Sequence, residues 1–344
     1  MSRLRTVQLP GLPFRERVKD MLKDSYGRTI DYLRISVTDR CNLRCSYCMP
    51  DGISCVPMGE LLTYEEIAFV CAQAAALGVR RFRITGGEPL VRKGCASLVA
   101  MIRQIPGAER IAMTTNGLLL AEHLDDLLAA GLDAVNISLN ATDPEQYRRI
   151  TGTDGAERVL ETIRMAAARL PVRVNCVVQR EINGDAPESL ALLSREMPVD
   201  VRFIEMMPVG AGKGLETVPN AEILRRMEVY FGPLREDPGA GGSGPAVYYR
   251  PDGFAGRIGF ISAVHGKFCD RCNRLRLTST GELKPCLCYA DTIPLREILR
   301  DADGRKEERV REKIREAVCA KPQAHCFERK AEVTERRKMA QIGG

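Results

Sequence analysis

Short runs of alternating, β-branched character recur along the chain, and helical spacing of apolar residues fills the intervals between them. Residues 32–38 read as a strand, 63–77 as an amphipathic helix and 81–85 as a second strand, ending in the turn Gly86-Gly87-Glu88-Pro89. Helices over 94–104, 119–130, 155–169 and 186–196 each precede a strand, at 110–115, 133–139, 172–178 and 200–206. A helix over 220–230 closes the series. Strands alternating with helices imply parallel pairing through right-handed crossovers. The fold class is therefore α/β: a partial (βα)6 TIM-like barrel over residues 15–231, two units short of a closed eightfold barrel. Residues 15–24 read as a short helix or arm. Polar residues gather where such folds do chemistry, at the C-terminal strand ends: the loop after 38, Gly-Gly-Glu-Pro, Thr114-Thr115-Asn116, Ser138 and Glu205-Met206-Met207.

At 232–246 the pattern gives way to Gly-Pro, Pro-Gly and a glycine-rich run, which reads as a loop or linker. Residues 232–344 form a smaller α+β domain. It has short strands at 247–250 and 256–261, a hairpin turn at 278–281 and a charged helix over 291–318. A tail from 321 ends in Gly343-Gly344.

Composition narrows the function. The 51 basic and 45 acidic residues leave a net charge of +6, which suits an anionic partner, either nucleic acid or a phosphorylated small molecule. Tryptophan is absent and aromatics are 5%, so base-stacking platforms are scarce and nucleic acid is disfavoured. No apolar run could span a bilayer and the first residues lack a secretory core, so neither membrane nor export is expected. Thirteen cysteines without a signal sequence point to a reducing cytoplasm and metal sites.

Two cysteine groups carry the candidate chemistry. Cys41, Cys45 and Cys48 form C-x3-C-x2-C directly after the first strand. Thiolates this close repel unless a cation neutralises them. Three local ligands suit an iron–sulfur cube with one open iron; a zinc site with a distant fourth ligand and buried structural thiols are the alternatives. Cys269, Cys272 and Cys286 form the second group, with Cys288 two residues on as the fourth ligand of an alternative zinc site. Between them, alternation puts Arg274 and Arg276 on one strand face, placed to clamp an anion such as a triphosphate or to lie as solvated charge.

The array with Tyr47 before its last cysteine resembles the radical S-adenosylmethionine (SAM) enzymes. Residues 32–41, Arg83-Ile84-Thr85-Gly86-Gly87-Glu88-Pro89, Thr114-Thr115-Asn116-Gly117, Cys269-x2-Cys272-Asn273-Arg274-Leu275-Arg276-Leu277 and the Gly-Gly tail together resemble the GTP 3′,8-cyclase family of molybdenum cofactor biosynthesis. That resemblance implies a lyase with two [4Fe–4S] clusters and SAM. Cys41, Cys45 and Cys48 would hold the SAM-binding cluster, and Cys269, Cys272 and Cys286 a second one meeting the guanine of GTP. Tyr47, Gly87, Ser138 and Met207 match SAM contacts. Arg34, Arg83, Thr114, Arg173, Arg274, Leu275 and Arg276 match GTP contacts, and Gly343 and Gly344 a catalytic tail entering the cavity. The implied partners are GTP, an electron donor of flavodoxin or ferredoxin type and a downstream cyclic pyranopterin monophosphate synthase, with a homodimer left open.

Three positions depart from the resemblance. Arg173 stands where a lysine is frequent, Asn140 where an aspartate is common and Cys288 where a phenylalanine is common. If residues 284–288 stay extended, Cys288 faces the same side as Cys286; the expectation is nevertheless a small buried residue in an apolar position. A radical SAM peptide-modifying enzyme shares the Gly-x4-Cys spacing of Gly281 to Cys286. A zinc-stapled RNA-binding scaffold is the reading from another class.

Overall fold

The computed structural model describes residues 21–52, 56–238, 244–302 and 304–343. The strands are β1 (Tyr32–Ser36), β2 (Arg81–Thr85), β3 (Arg110–Thr115), β4 (Ala134–Ser138), β5 (Val172–Val178) and β6 (Asp200–Glu205). After them come β7 (Arg235–Glu236), β8 (Val247–Arg250), β9 (Arg257–Ile261), β10 (Arg274–Leu277), β11 (Glu282–Lys284) and β12 (Ile293–Pro294). They form one sheet in the order β12-β11-β10-β1-β2-β3-β4-β5-β6-β9-β8-β7.

The six expected parallel strands are present in sequence order. The C-terminal region then adds a parallel strand to each edge: β10 pairs with β1, and β9 pairs with β6. Eight parallel strands therefore run side by side, and antiparallel strands continue the sheet beyond them. The linker read at 232–246 separates stretches of chain that share this sheet.

Alternation along each strand divides the molecule. Leu33 and Ile35, Phe82 and Ile84, Ile111 and Met113, and Leu275 and Leu277 pack outward into the main apolar core under the helices. Burying each such side chain contributes roughly 1.5–3 kcal/mol. Their polar neighbours face a central cavity.

Two helical readings change. The segment 291–318 is two helices, Arg296–Arg300 and Lys306–Cys319, because Asp301 takes extended backbone dihedrals. A helix not expected from the periodicity spans Pro144–Thr151. Asp143 caps it, accepting from Gln146 N at 2.7 Å, and Pro144 starts it without a lost donor. Most of the arm read at 15–24 lies outside the described residues. Among the described residues, no helix is long and apolar enough to cross a membrane.

Candidate active site

The loop after β1 carries the first cysteine triad, and the unforeseen helix fixes its path. Arg44 N donates to Thr151 O at 2.8 Å and Ser46 N to Ile150 O at 2.9 Å. Cys41, Cys45 and Cys48 thereby stand over the C-terminal end of β1. The second triad is at the other end. Cys269 and Cys272 lie just before β10, whose first residue, Arg274, pairs with Tyr32 at the start of β1. Cys286 follows β11, which runs antiparallel back to that end. One cavity of about 370 Å³ is lined by all six cysteines.

The donor chemistry of both triads fits a polynuclear centre. Burial raises the Cys45 thiol, and Cys48 and Cys41 raise it further. Burial and then Cys41 push Cys48 up to about 12. A bare set of thiolates is unfavourable there, so a cationic centre is what would deprotonate it. N–H groups already point at sulfur: Leu43 N at 3.4 Å from Cys41 Sγ, and His325 N at 3.4 Å from Cys269 Sγ. Among the described residues, no three His, Cys, Asp or Glu converge closely enough to hold a single metal ion. Three thiols of each triad lining one cavity suit the ligand count of an iron–sulfur cube.

The residues expected to contact SAM gather near the first triad. Gly87 lies against the cysteine loop: a Cβ there would stand 2.4 Å from Arg40 O and 2.7 Å from Asp39 O. Only glycine permits that approach. Tyr47 Oη accepts from Asn140 Nδ2 at 3.1 Å, while Asn140 Oδ1 accepts from Val177 N at 2.9 Å. Ser138 ends β4 and Met207 follows β6, and both line the cavity. The Glu88 carboxylate accepts from Thr115 Oγ1 and Asn116 N, each at 2.7 Å, and burial raises its pKa to about 7. Glu88 thus ties the Gly-Gly turn to the end of β3.

The arginines form the opposite wall. Arg34 is in register with Arg276 on one side and Arg83 on the other, three guanidinium-bearing positions abreast on adjacent strands. Burial and then the Arg276 charge push the Arg34 pKa well down; burial and then Arg274 lower Arg276 to about 10. A buried group of mutually repelling cations is an arrangement that a polyanion would stabilise. Arg83 Nη1 donates to Thr114 Oγ1 at 3.4 Å, and Arg173 lines the same cavity. Leu275 differs from its neighbours: alternation turns its side chain into the core, where it is 1% exposed. Any ligand contact at Leu275 would be through its backbone.

The tail enters this space. Gly343 takes a positive φ of 74°, and its carbonyl accepts from Arg276 Nη1 at 2.7 Å. A Cβ on it would lie 3.1 Å from Ser36 Cβ. Gly344 lies outside the described residues. Cys288 takes the apolar alternative. The strand stops at Lys284, the chain turns, and Cys288 packs against Cys326, Phe327 and Val333, 3.4 Å from Cys326 Sγ and away from the cavity.

Sequence reasoning missed Lys321, Arg28 and Arg202. Lys321 Nζ, buried, donates to Arg274 O at 2.7 Å and Pro285 O at 2.9 Å, and stands 3.8 Å from Cys272 Sγ. Burial raises the Cys272 thiol, but Lys321 and Arg274 outweigh it and the net shift is downward. Arg28 donates to Cys269 O at 2.7 Å and to two carbonyls of the tail. Nothing local marks either residue. Arg202 was legible as a cation at a cavity-facing position of β6; burial lowers its pKa to about 10.

Comparison with known proteins agrees with this geometry. Residues 35–193 match the model of the radical SAM superfamily, and residues 199–327 the model of Molybdenum Cofactor Synthesis C. The chain is 44% identical over 329 residues to the GTP 3′,8-cyclase of Pelotomaculum thermopropionicum, covering 94% of this chain and 100% of that one. It is 41% identical to that of Clostridium perfringens strain 13 (94% and 100% covered) and 44% to that of Heliobacterium modesticaldum (93% and 99%). Among solved structures, Streptococcus suis SuiB bound to its precursor peptide SuiA superposes with a TM-score of 0.60 at 14% identity. That superposition covers 99% of this chain and 84% of SuiB, and supports the fold alone.

Proposed function

The chain belongs to the GTP 3′,8-cyclase family, and on that premise we propose how its cavity acts on GTP. The enzyme is a radical SAM lyase of molybdenum cofactor biosynthesis. It converts GTP to (8S)-3′,8-cyclo-7,8-dihydroguanosine 5′-triphosphate, using SAM and [4Fe–4S] clusters.

The observation that carries the site assignment is the single cavity with a cysteine triad at each end and arginines between. Cys41, Cys45 and Cys48 would hold the cluster that binds SAM. Cys269, Cys272 and Cys286 would hold the second cluster, beside which the guanine is placed. When bound, SAM and its cluster supply a hydrogen-abstracting adenosyl radical, chemistry the side chains alone cannot perform. The chain's own task is placement. Arg34, Arg83, Arg173, Arg274 and Arg276 neutralise the triphosphate and fix the nucleotide between the two ends, with Thr114 as a hydroxyl partner. Gly87 lets SAM approach the backbone, and Tyr47, Ser138 and Met207 line its pocket. Gly343, whose carbonyl accepts from Arg276, and the Gly344 that follows it are assigned as the catalytic tail.

An electron donor of flavodoxin or ferredoxin type and a downstream cyclic pyranopterin monophosphate synthase complete the assignment. A cytoplasmic location suits the twelve described cysteines, all of which are free. Anaerobic incubation with SAM, dithionite and GTP tests the proposal. It should give 5′-deoxyadenosine and the cyclised nucleotide together. A protein loaded with about eight irons that cleaves SAM but leaves GTP unchanged would refute it.

A further inference from the structure

We propose that Arg110 reads the terminal phosphate of the bound nucleotide and is the residue by which this cavity prefers a triphosphate to a diphosphate. The inference rests on the function proposed above.

The β2–β3 register sets Arg81 and Arg110 directly opposite each other. Like charges facing across a strand pair are destabilising. Arg83, two residues beyond Arg81, shares its strand face, and these three arginines line the cavity together with Arg173. Three of the four have protein partners. Arg81 is ion-paired with Asp31, Arg83 donates to Tyr32 and Thr114, and Arg173 stands 3.6 Å from Asp200.

Arg110 makes no side-chain hydrogen bond or ion pair with any described residue. Asp133 acts on it electrostatically, but that carboxylate is already engaged by Arg103 and by Ile111 N. Burial lowers the Arg110 pKa, and the Arg173 and Arg83 charges lower it further. A half-buried guanidinium facing cations is a poor arrangement for the empty cavity and a good one for an anion.

Position assigns the phosphate. Arg274 and Arg276 lie on β10, the strand that begins beside the second triad. Arg110 is on β3, three strands along the sheet from β10, roughly 14 Å at the usual strand spacing. One phosphate cannot reach both ends of such an arc, whereas a chain of phosphates can run along it. With the base held at the second triad, the end of that chain furthest from the base is the terminal phosphate.

The test uses reconstituted holoenzyme under anaerobic conditions without SAM, so that nothing turns over. Dissociation constants for GTP and GDP are measured by calorimetry for the wild type, Arg110→Gln and Arg110→Lys. A charge-assisted contact to phosphate should make GTP binding about tenfold tighter than GDP binding in the wild type. Arg110→Gln should lose that margin on GTP alone, with GDP affinity and iron content as in the wild type, and Arg110→Lys should keep part of it. Equal losses on GTP and GDP, no loss on GTP, or loss of iron would each overturn the inference while leaving the proposed function standing. A wild type that binds neither nucleotide would overturn both.

Discussion

Glu335→Gln should release the C-terminal tail without unloading the clusters. Glu335 pairs with Lys284 of β11, and the two side chains are 2% and 0% exposed. The carboxylate's other contacts come from the tail itself: Arg336 N at 3.0 Å, Arg337 N at 2.9 Å, and Arg337 Nε and Nη2 at 3.1 Å each. Arg337 in turn reaches Glu282 of β11 at 2.6 Å. These contacts fasten the start of the segment that delivers Gly343 to Ser36 and Arg276. Burial raises the Glu335 carboxyl, but Arg337 and Lys284 outweigh it and hold it at about 2. Lys284 shows the opposite balance, since burial lowers its ammonium in spite of Glu335. The two shifts thus value the intact pair differently. The lysine's desolvation offsets part of the carboxylate's gain, so the intact pair contributes less than the carboxylate alone suggests.

Breaking the pair is a larger effect, because it leaves a buried ammonium with no counter-charge, bonded only to neutral oxygens such as Tyr289 O at 2.7 Å. Removing one partner of a buried pair costs roughly 3–5 kcal/mol, and the fall from 4.5 to about 2 corresponds to roughly 3 kcal/mol. Taking about 3 kcal/mol, tail opening becomes roughly a hundredfold more frequent. Hydrogen exchange of the 336–343 amides in anaerobic holoenzyme reads this directly. Glu335→Gln should speed exchange about a hundredfold, keep the iron and lower cyclisation; Lys284→Met with Glu335→Gln should recover part of the protection. The sign with pH follows from the depressed carboxyl. Its stabilisation is complete above about 4.5 and is lost as pH falls toward 2, so wild-type protection should decline only in that acid window. Unchanged exchange in Glu335→Gln, with iron intact, would refute the anchoring role.

Deleting Gly343 and Gly344 should leave iron content and GTP binding intact and abolish cyclisation; full activity would make the tail a bystander. Arg173→Ala should weaken GTP binding about tenfold or more while SAM still binds. Arg173→Lys should be nearly neutral, as a point charge reaches the same anion, and calorimetry separates the two cases. Cys288→Ala should keep both clusters by iron assay, whereas Cys286→Ala should lose the second; iron loss from Cys288→Ala would place that thiol among the ligands.

What could be read in the sequence was what depends on neighbours in the chain. The Cys41–Cys48 spacing, the Gly-Gly turn and the alternation of Arg274 and Arg276 are local, and the structure places each on the cavity wall. The helix at Pro144–Thr151 was also locally marked, by an Asp-Pro start and a glycine stop, yet its role in holding the cysteine loop was not. The pairing of β9 and β10 to opposite edges of the barrel was beyond reach, because short strands after a glycine-rich stretch carry no record of their partner. That pairing decides the chemistry. A parallel β10 starts where β1 starts, which puts Cys269 and Cys272 at the end away from Cys41. An antiparallel β10 would have brought both triads to one end and left no room for a nucleotide between them. Cys288 marks the same boundary at the scale of one residue. A period of two predicts that it follows Cys286, but the period holds only while the strand does. The strand ends at Lys284, which is held by Glu335 from the tail. The partner of the strand's last residue therefore lies far along the chain, where no local pattern could point to it.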